Sequence, residues 1–444
     1  MRILLITHFF PPRHNAGTEN YTLGLAKELI SRGHTVSVLC AEDWNSGDSY
    51  WNGVTHDTYQ GVPVYRIHLN WTKVDMPNRV LFDSPKVESW LAKFLDTLKP
   101  ELIHITSVIS LGVGVLRSAK EKLIPVVLTL TDYWFICQRT NLLRPDNSLC
   151  DGIKTPDECQ DCLLMSAKLY RMTKSVLTEG LNRYLWNSIC RSPYLTGLRN
   201  LRGKAFDMNY RKSVMVEVAK IPCVVISPSR FLKKIFVECE FPNDILYIPH
   251  GHDLSWSLAI GDKVSTDNIR VGYLGKLAAI KGVHILIQAF REIIPAGEAT
   301  LDIWGDASGD KHYINQLTEL IGDSELIKLR GRFDRSELVK VLEEIDVLVV
   351  PSLWYENAPL VIAEAFAAKI PVIASNIGGM AEAVTHEKNG LLFEAGSVND
   401  LADQLRRIIE EPGLLEKLKQ GIDPVKTFSQ EVDELEKIYQ GIIG

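Results

Sequence analysis

Short, wholly apolar runs recur along the chain, each followed by a polar loop and then by a stretch with helical spacing. The first is Ile3-Leu4-Leu5-Ile6. A strand with one face in water alternates apolar and polar residues, so an unbroken run predicts a strand covered on both faces, as in a parallel sheet. An apolar-periodic stretch from Tyr21 to Ile30 follows, and Gly33 stands where a helix C-terminus takes glycine. The next strand is predicted at 36–39, and further ones at 63–67, 102–105, 126–130, 223–226 and 245–248. Strands alternating with helices predict an α/β layered fold with a mostly parallel sheet.

The pattern then begins again. At 444 residues the chain is too long for a single core. A polar stretch at 261–268 precedes a second series of strands, predicted at 270–274, 300–304, 326–329, 347–350 and 371–374. Two tandem α/β units are therefore expected, over 1–255 and 256–424. The tail 425–444 carries Val432, Leu435, Ile438 and Tyr439 at helical spacing. Two such units would form a cleft, and open parallel sheets bind ligands at the carboxyl ends of their strands.

Composition removes several classes. With 46% apolar and 23% charged residues the chain is globular rather than disordered or coiled-coil. A net charge of -6 argues against a general nucleic-acid binder. No apolar run approaches the roughly 20 residues of a membrane span. Pro11-Pro12 follows the first apolar run where a signal peptide would carry small residues, so the chain reads as cytoplasmic, with its thiols reduced.

The densest chemistry follows the run 347–350. In Trp354-Tyr355-Glu356-Asn357-Ala358-Pro359-Leu360, Pro359 suits the first position of a helix, whose free N–H groups make an anion site. Glu356 stands before that helix. Glu364 lies about 7.5 Å along its axis from Pro359, at 1.5 Å per residue. A carboxylate there could accept from both hydroxyls of a ribose, so one ligand with a sugar, a diphosphate and a ribose could use all these features. The alternative is a helix with two solvated glutamates, which the apolar Val361-Ile362-Ala363 and Ala365-Phe366-Ala367 argue against. Lys276 and Lys281, on a loop flanked by Gly275 and Gly282, could neutralise a diphosphate. Gly378-Gly379 and Ala16-Gly17-Thr18-Glu19 are either close-approach sites or plain turns. The latter lacks G-x-G-x-x-G, which disfavours a nicotinamide dinucleotide.

These segments together resemble a retaining glycosyltransferase of family 4, the group 1 glycosyltransferases, with the two-domain GT-B fold. The resemblance rests on Glu356-x7-Glu364, Lys276/Lys281, Pro228-Ser229-Arg230-Phe231, Ile248-Pro249-His250-Gly251 and Gly378-Gly379, and spans nearly the whole chain. It implies that Glu364 binds the ribose. Glu356, with the backbone of Asn357, Ala358, Pro359 and Leu360, whose N–H donors are those of Asn357, Ala358 and Leu360, would hold the donor sugar and diphosphate. Lys276 and Lys281 would stabilise the leaving diphosphate, Gly17 would admit the donor phosphate, and the last helix would cross back onto the first domain. The resemblance also implies that no cofactor is required for catalysis. Two departures stand out. Relatives usually carry Arg at Lys276, and His-Asp where this chain has Thr131-Asp132, which makes Asp132 the polar group to test as catalytic. A nucleotide-sugar epimerase, a pyridoxal-phosphate-dependent phosphorylase and an inactive donor-binding partner subunit remain alternatives. The expected acceptor is a cell-surface polysaccharide or a lipid-linked glycan.

Two segments stand apart. Cys137, Cys150, Cys159 and Cys162, on an insert over about 137–162, are a candidate structural zinc set, with an iron–sulfur cluster or incidental thiols as alternatives. Residues 163–220 hold 11 Lys+Arg against 3 Asp+Glu, interleaved with apolar residues at helical spacing. That suits either a peripheral contact with the inner face of a membrane or a core-packed helix with a solvated basic side. No nucleic-acid module surrounds it.

Overall fold

Fourteen strands are present in a computed structural model that describes residues 1–43, 48–261, 268–293, 299–307 and 309–444. Most of the polar stretch at 261–268 lies outside the described residues. The chain divides into two units. One comprises Met1–Gly251 with Phe428–Gly444, the other His252–Thr427.

The first unit holds β1 (Arg2–Ile6), β2 (Thr35–Asp43), β3 (Trp51–Tyr59), β4 (Val62–Leu69), β5 (Leu102–Ile105), β6 (Val126–Thr129), β7 (Val224–Ser227) and β8 (Ile245–Tyr247). They form one sheet in the order β3-β4-β2-β1-β5-β6-β7-β8, parallel except for β3 against β4. The apolar run 3–6 is buried, as a strand covered on both faces requires. Sequence order reverses between β1 and β5, which are neighbours. The loops leaving their carboxyl ends diverge there and leave a crevice.

The helix Phe428–Ile443 completes this unit. Val432, Leu435 and Tyr439 enter the same core as Leu25 and Leu29 of the helix Gly17–Ser31. Polar groups fix it as well: Tyr21 Oη donates to Glu431 Oε1 at 2.7 Å, the Gly251 amide donates to Glu431 Oε2 at 2.7 Å, and Tyr439 Oη lies 2.5 Å from His104 Nδ1.

The second unit holds β9 (Ile269–Leu274), β10 (Ala299–Trp304), β11 (Ile327–Gly331), β12 (Val347–Val350), β13 (Val372–Ser375) and β14 (Gly390–Phe393), all parallel, in the order β11-β10-β9-β12-β13-β14. Its reversal falls between β9 and β12. Two apolar layers cover the sheet, one containing Val347 and Val349, the other Leu348 and Val350, so successive residues of β12 face opposite sides.

Two strands escaped the sequence reading. β3 is an edge strand with no buried residue, so its polar sequence carries no apolar run. β14 is a four-residue edge strand beginning at Gly390.

Candidate active site

The reversal between β9 and β12 gathers the second unit's sequence motifs. The loop after β9 carries Lys276 and Lys281, and the loop after β12 carries Ser352 to Pro359. A backbone bond from the Leu353 amide to the Ile280 carbonyl, 2.8 Å, joins the two loops. Gly282 lets them meet. Its φ is +71°, and a Cβ there would lie 1.9 Å from the Pro351 carbonyl oxygen. Only glycine satisfies both conditions.

This junction sets Lys281 Nζ 2.5 Å from Glu356 Oε1. The same oxygen accepts from Ser352 Oγ and from Trp354 Nε1, each at 2.9 Å. Among the described residues Oε2 accepts no hydrogen bond, so one carboxylate edge is held by protein and the other is not. The ammonium of Lys281 also lies 5.3 Å from the centre of the Trp354 ring. Lys276 is exposed and meets no carboxylate among the described residues.

Behind Glu356, Gly378 and Gly379 open the helix Gly378–Ala383. The Gly379 amide donates to the Glu356 carbonyl at 2.6 Å. A Cβ on Gly379 would lie 2.0 Å from the Asn357 oxygen, and one on Gly378, at φ +61°, 3.0 Å from the Glu356 oxygen. The paired glycines therefore admit the backbone of the 355–357 loop, and so position Glu356.

The helix after this loop runs Leu360–Ala367 with Pro359 as its N-cap, one residue earlier than the helical position the sequence suggested. No side chain caps it. Its first amides are thus available to an anion. Glu364 is not solitary: Arg335, in the turn Arg335–Glu337, pairs with its carboxylate. Burial pushes the Glu364 carboxyl above its ordinary range, and Arg335 pulls it back in part. Nothing in the sequence linked 335 to 364, because the pairing comes from the loop after β11.

The crevice of the first unit holds a separate polar group. His8, after β1, places Nε2 3.4 Å from Glu19 Oε1, on the helix that Gly17 begins. Burial alone would raise the Glu19 carboxyl, but the bond and charge of His8 hold it below its ordinary value. Among the described residues His8 Nδ1 and Glu19 Oε2 are buried without a hydrogen-bond partner. Asp132, after β6, feels the charge of His8; burial raises its carboxyl. Its oxygens accept from the Trp134 amide at 2.7 Å and from Ser107 Oγ at 3.1 Å. Thr131 Oγ1 donates to the Thr106 carbonyl at 2.6 Å. The sequence reading missed His8 and quoted Glu19 only as part of a turn. A histidine two residues past the first strand was the available signal.

The insert cysteines come from a helix and two turns. Cys159 and Cys162 lie one turn apart on the helix Pro156–Leu164, Cys137 closes the turn after β6, and Cys150 bonds back to Leu142. All four are free thiols. They are near enough that burial and one another's charge push Cys159 up to about 12. Yet among the described residues no three His, Cys, Asp or Glu side chains are arranged to hold a metal ion. A cavity of about 260 Å³ beside the insert, lined by Cys159, Arg211 and Cys239, shares no residue with either crevice.

Comparison with known proteins follows the same division. Residues 261–422 match the family model described as glycosyl transferases group 1, and residues 16–150 match the glycosyl transferase 4-like domain. The chain belongs to the group 1 glycosyltransferases. Among curated relatives, an uncharacterised glycosyltransferase of Methanocaldococcus jannaschii is 29% identical over 51% of this chain and 63% of its own length. The glycogen synthase of Mycobacterium tuberculosis is 32% identical over 39% of this chain and 42% of its own. The chain thus spans less than two thirds of the length of these relatives. Among solved structures, sucrose-phosphate synthase from Thermosynechococcus elongatus aligns with a TM-score of 0.63 and 18% identity, covering 99% of this chain and 98% of the other. Anabaena HepE in complex with UDP aligns with a TM-score of 0.64 and 19% identity, over 99% and 100%. The fold of this group 1 glycosyltransferase is GT-B.

Proposed function

We propose that this glycosyltransferase moves a sugar, with retention of configuration, from a nucleotide diphosphate sugar to an acceptor hydroxyl in the making of a cell-surface polysaccharide or a lipid-linked glycan. One observation carries the reading. A carboxylate with one edge held by protein and the other not, an uncapped helix N-terminus, and the cations Lys276 and Lys281 all follow β9 and β12, at the switch point of one sheet. A nucleotide diphosphate sugar has a part for each. Its hydroxyls suit Glu356 Oε2, and its diphosphate suits the lysines and the helix amides from Leu360 onward. Its ribose suits Glu364.

UDP is the favoured nucleotide part, since HepE, alike in fold, has been solved with UDP and with UDP-glucose. In the transfer, the bond from the anomeric carbon to the diphosphate oxygen breaks, and the acceptor oxygen bonds to that carbon on the same face. The acceptor proton goes to the leaving phosphate. Lys276 and Lys281 take up the charge that develops there, so no metal is called for in this reading. The buried, unpartnered atoms of His8 and Glu19 are a site for polar groups of the acceptor in the first unit.

Calorimetric titration with UDP, GDP, ADP and dTDP tests the donor half. One nucleotide is expected to bind, and Glu364→Ala to weaken it by about tenfold or more, the loss of one or two charge-assisted hydrogen bonds. Unchanged affinity in the variant would remove Glu364 from the site.

A further inference from the structure

The two helices that follow the insert are apolar on both sides. Lys168–Val176 and Glu179–Arg191 turn Tyr170, Trp186 and Cys190 inward, into a small core shared with Leu164, Ala167, Leu201 and Ala205. Trp186 Nε1 donates to Thr173 Oγ1 at 2.8 Å, and the rings of Tyr170 and Trp186 meet edge to face. That accounts for one side of each helix. On the other, Leu169, Met172 and Val176 repeat at the spacing of a single face and are 55%, 56% and 82% exposed. Leu181, Tyr184 and Leu185 repeat in the same way on the second helix and are also exposed. Tyr194, in the turn Pro193–Thr196 that packs next, is 88% exposed. Among the described residues, more than half of the exposed large apolar side chains fall between 153 and 198. Water does not select two helical stripes of this kind.

The charge around these stripes is mostly positive, although Asp161 lies 3.9 Å from Lys174. Residues 165–204 hold eight Lys+Arg and one acidic residue, Glu179, in a chain whose net charge is -6. Among the described residues Lys168, Arg191 and Arg199 have no acidic partner, while Arg183 pairs with Glu179 and Asp157. Apolar stripes edged by unpaired cations match an anionic bilayer surface, which offers acyl chains beneath a layer of negative charge. A second copy of the chain would bring the same positive face against itself. A nucleic acid would use the charge and leave the apolar stripes in water. Residues 151–260 lie between the two family matches, so this face is not part of what defines the family. No helix among the described residues is long and apolar enough to cross a membrane, so the contact is with the surface.

We infer that the exposed apolar face of residues 165–198, with its ring of lysines and arginines, seats the protein on anionic lipid. The test is co-sedimentation of the full chain with vesicles of phosphatidylcholine alone or with about one third phosphatidylglycerol. Binding to the anionic vesicles is expected to exceed binding to the neutral ones by about tenfold or more, and to fall in 1 M salt, where the screening length is about 3 Å. Met172→Ser/Leu181→Ser/Tyr184→Ser should abolish it, and Lys168→Gln/Arg191→Gln/Arg199→Gln should weaken it. These side chains are exposed, so circular dichroism and nucleotide affinity should stay as in the wild type. Nucleotide affinity therefore separates failure of this inference from failure of the transferase reading. Equal binding to both vesicle types, no binding, or unchanged binding by the apolar variant would overturn it. So would concentration-dependent self-association without lipid that the apolar variant abolishes, which would give the face to a second copy.

Discussion

Lys281 Nζ and Glu356 Oε1 lie 2.5 Å apart, although the two residues come from different strands' loops 75 positions apart. The pair ties the loop after β9 to the loop after β12. It also means that Lys281 must share its charge between a carboxylate and whatever phosphate enters.

Glu356→Gln separates these roles. The amide can still accept from Ser352 and Trp354, but it no longer competes for Lys281. Nucleotide diphosphate affinity is expected to hold or rise, while sugar transfer falls by about tenfold or more. Lys281→Ala should do the reverse to binding, weakening UDP more than UMP. Calorimetry with both nucleotides, beside a transfer assay, reads each effect; equal loss for UDP and UMP would take Lys281 off the diphosphate.

Gly379→Ala is expected to damage the same site from behind. The added methyl lands 2.0 Å from the Asn357 oxygen, which is backbone that cannot step aside. A cost of about 1–3 kcal/mol is typical of such overpacking. Thermal melting should show a lower midpoint, and nucleotide affinity should drop with it. Gly441→Ala, where a Cβ meets nothing within 4 Å, serves as the control. Equal melting of the two variants would remove the packing argument.

His104 makes stability depend on pH. Burial lowers its pKa from 6.5 to about 4, with Tyr439 Oη and Thr129 Oγ1 holding the neutral ring. The unfolded chain takes up the proton near 6.5 and the folded chain only near 4. Stability is therefore full above 6.5 and is lost as pH falls toward 4, by about 3 kcal/mol for a shift of this size. Glu431, held below its ordinary value by His250, Gly251 and Tyr21 against the effect of burial, adds a loss at lower pH still. Urea melts at pH 7.5, 5.5 and 4.5 should show the decline. His104→Gln, which stays uncharged, should flatten it between 6.5 and 4.5, and an unchanged profile in that variant would clear His104.

His8 and Asp132 are expected to matter for transfer and not for nucleotide. His8→Ala and Asp132→Asn should each lower the transfer rate, by about tenfold or more for the loss of a charge-assisted hydrogen bond to the acceptor, with UDP affinity unchanged. Asn at 132 can still accept from the Trp134 amide, so loss of the turn is not the cause. A fall in UDP affinity equal to the fall in rate would mean damage to the fold.

The strands buried on both faces were legible, because an apolar run such as 3–6 has few other uses. Glu356, Glu364 and the two lysines were legible too, as polar residues at the ends of such runs. Arg335 was not, since a pairing across 29 residues is made by the tertiary fold alone. The role of Gly378-Gly379 was half legible: close approach was foreseen, but to a ligand, whereas the pair admits the loop that carries Glu356. The cysteines were legible only as a spacing, which says nothing about how side chains on a helix and on two turns are arranged; the fold brings the other three near Cys159. The exposed stripes at 169–176 and 181–185 were read as one helical period, and only burial separates the side that fills a core from the side that does not.

The helix Phe428–Ile443 belongs to the first unit, and that has a consequence for how the chain comes off the ribosome. His104 waits for Tyr439, 335 residues later. Without that segment the imidazole of a strand in the middle of the first sheet lacks one of its two partners, and the core lacks Val432 and Leu435. The second unit, uninterrupted in sequence, can close its own core meanwhile. The unit that contains the first residue is thus the one whose core needs the last helix, while the second unit is a single continuous segment.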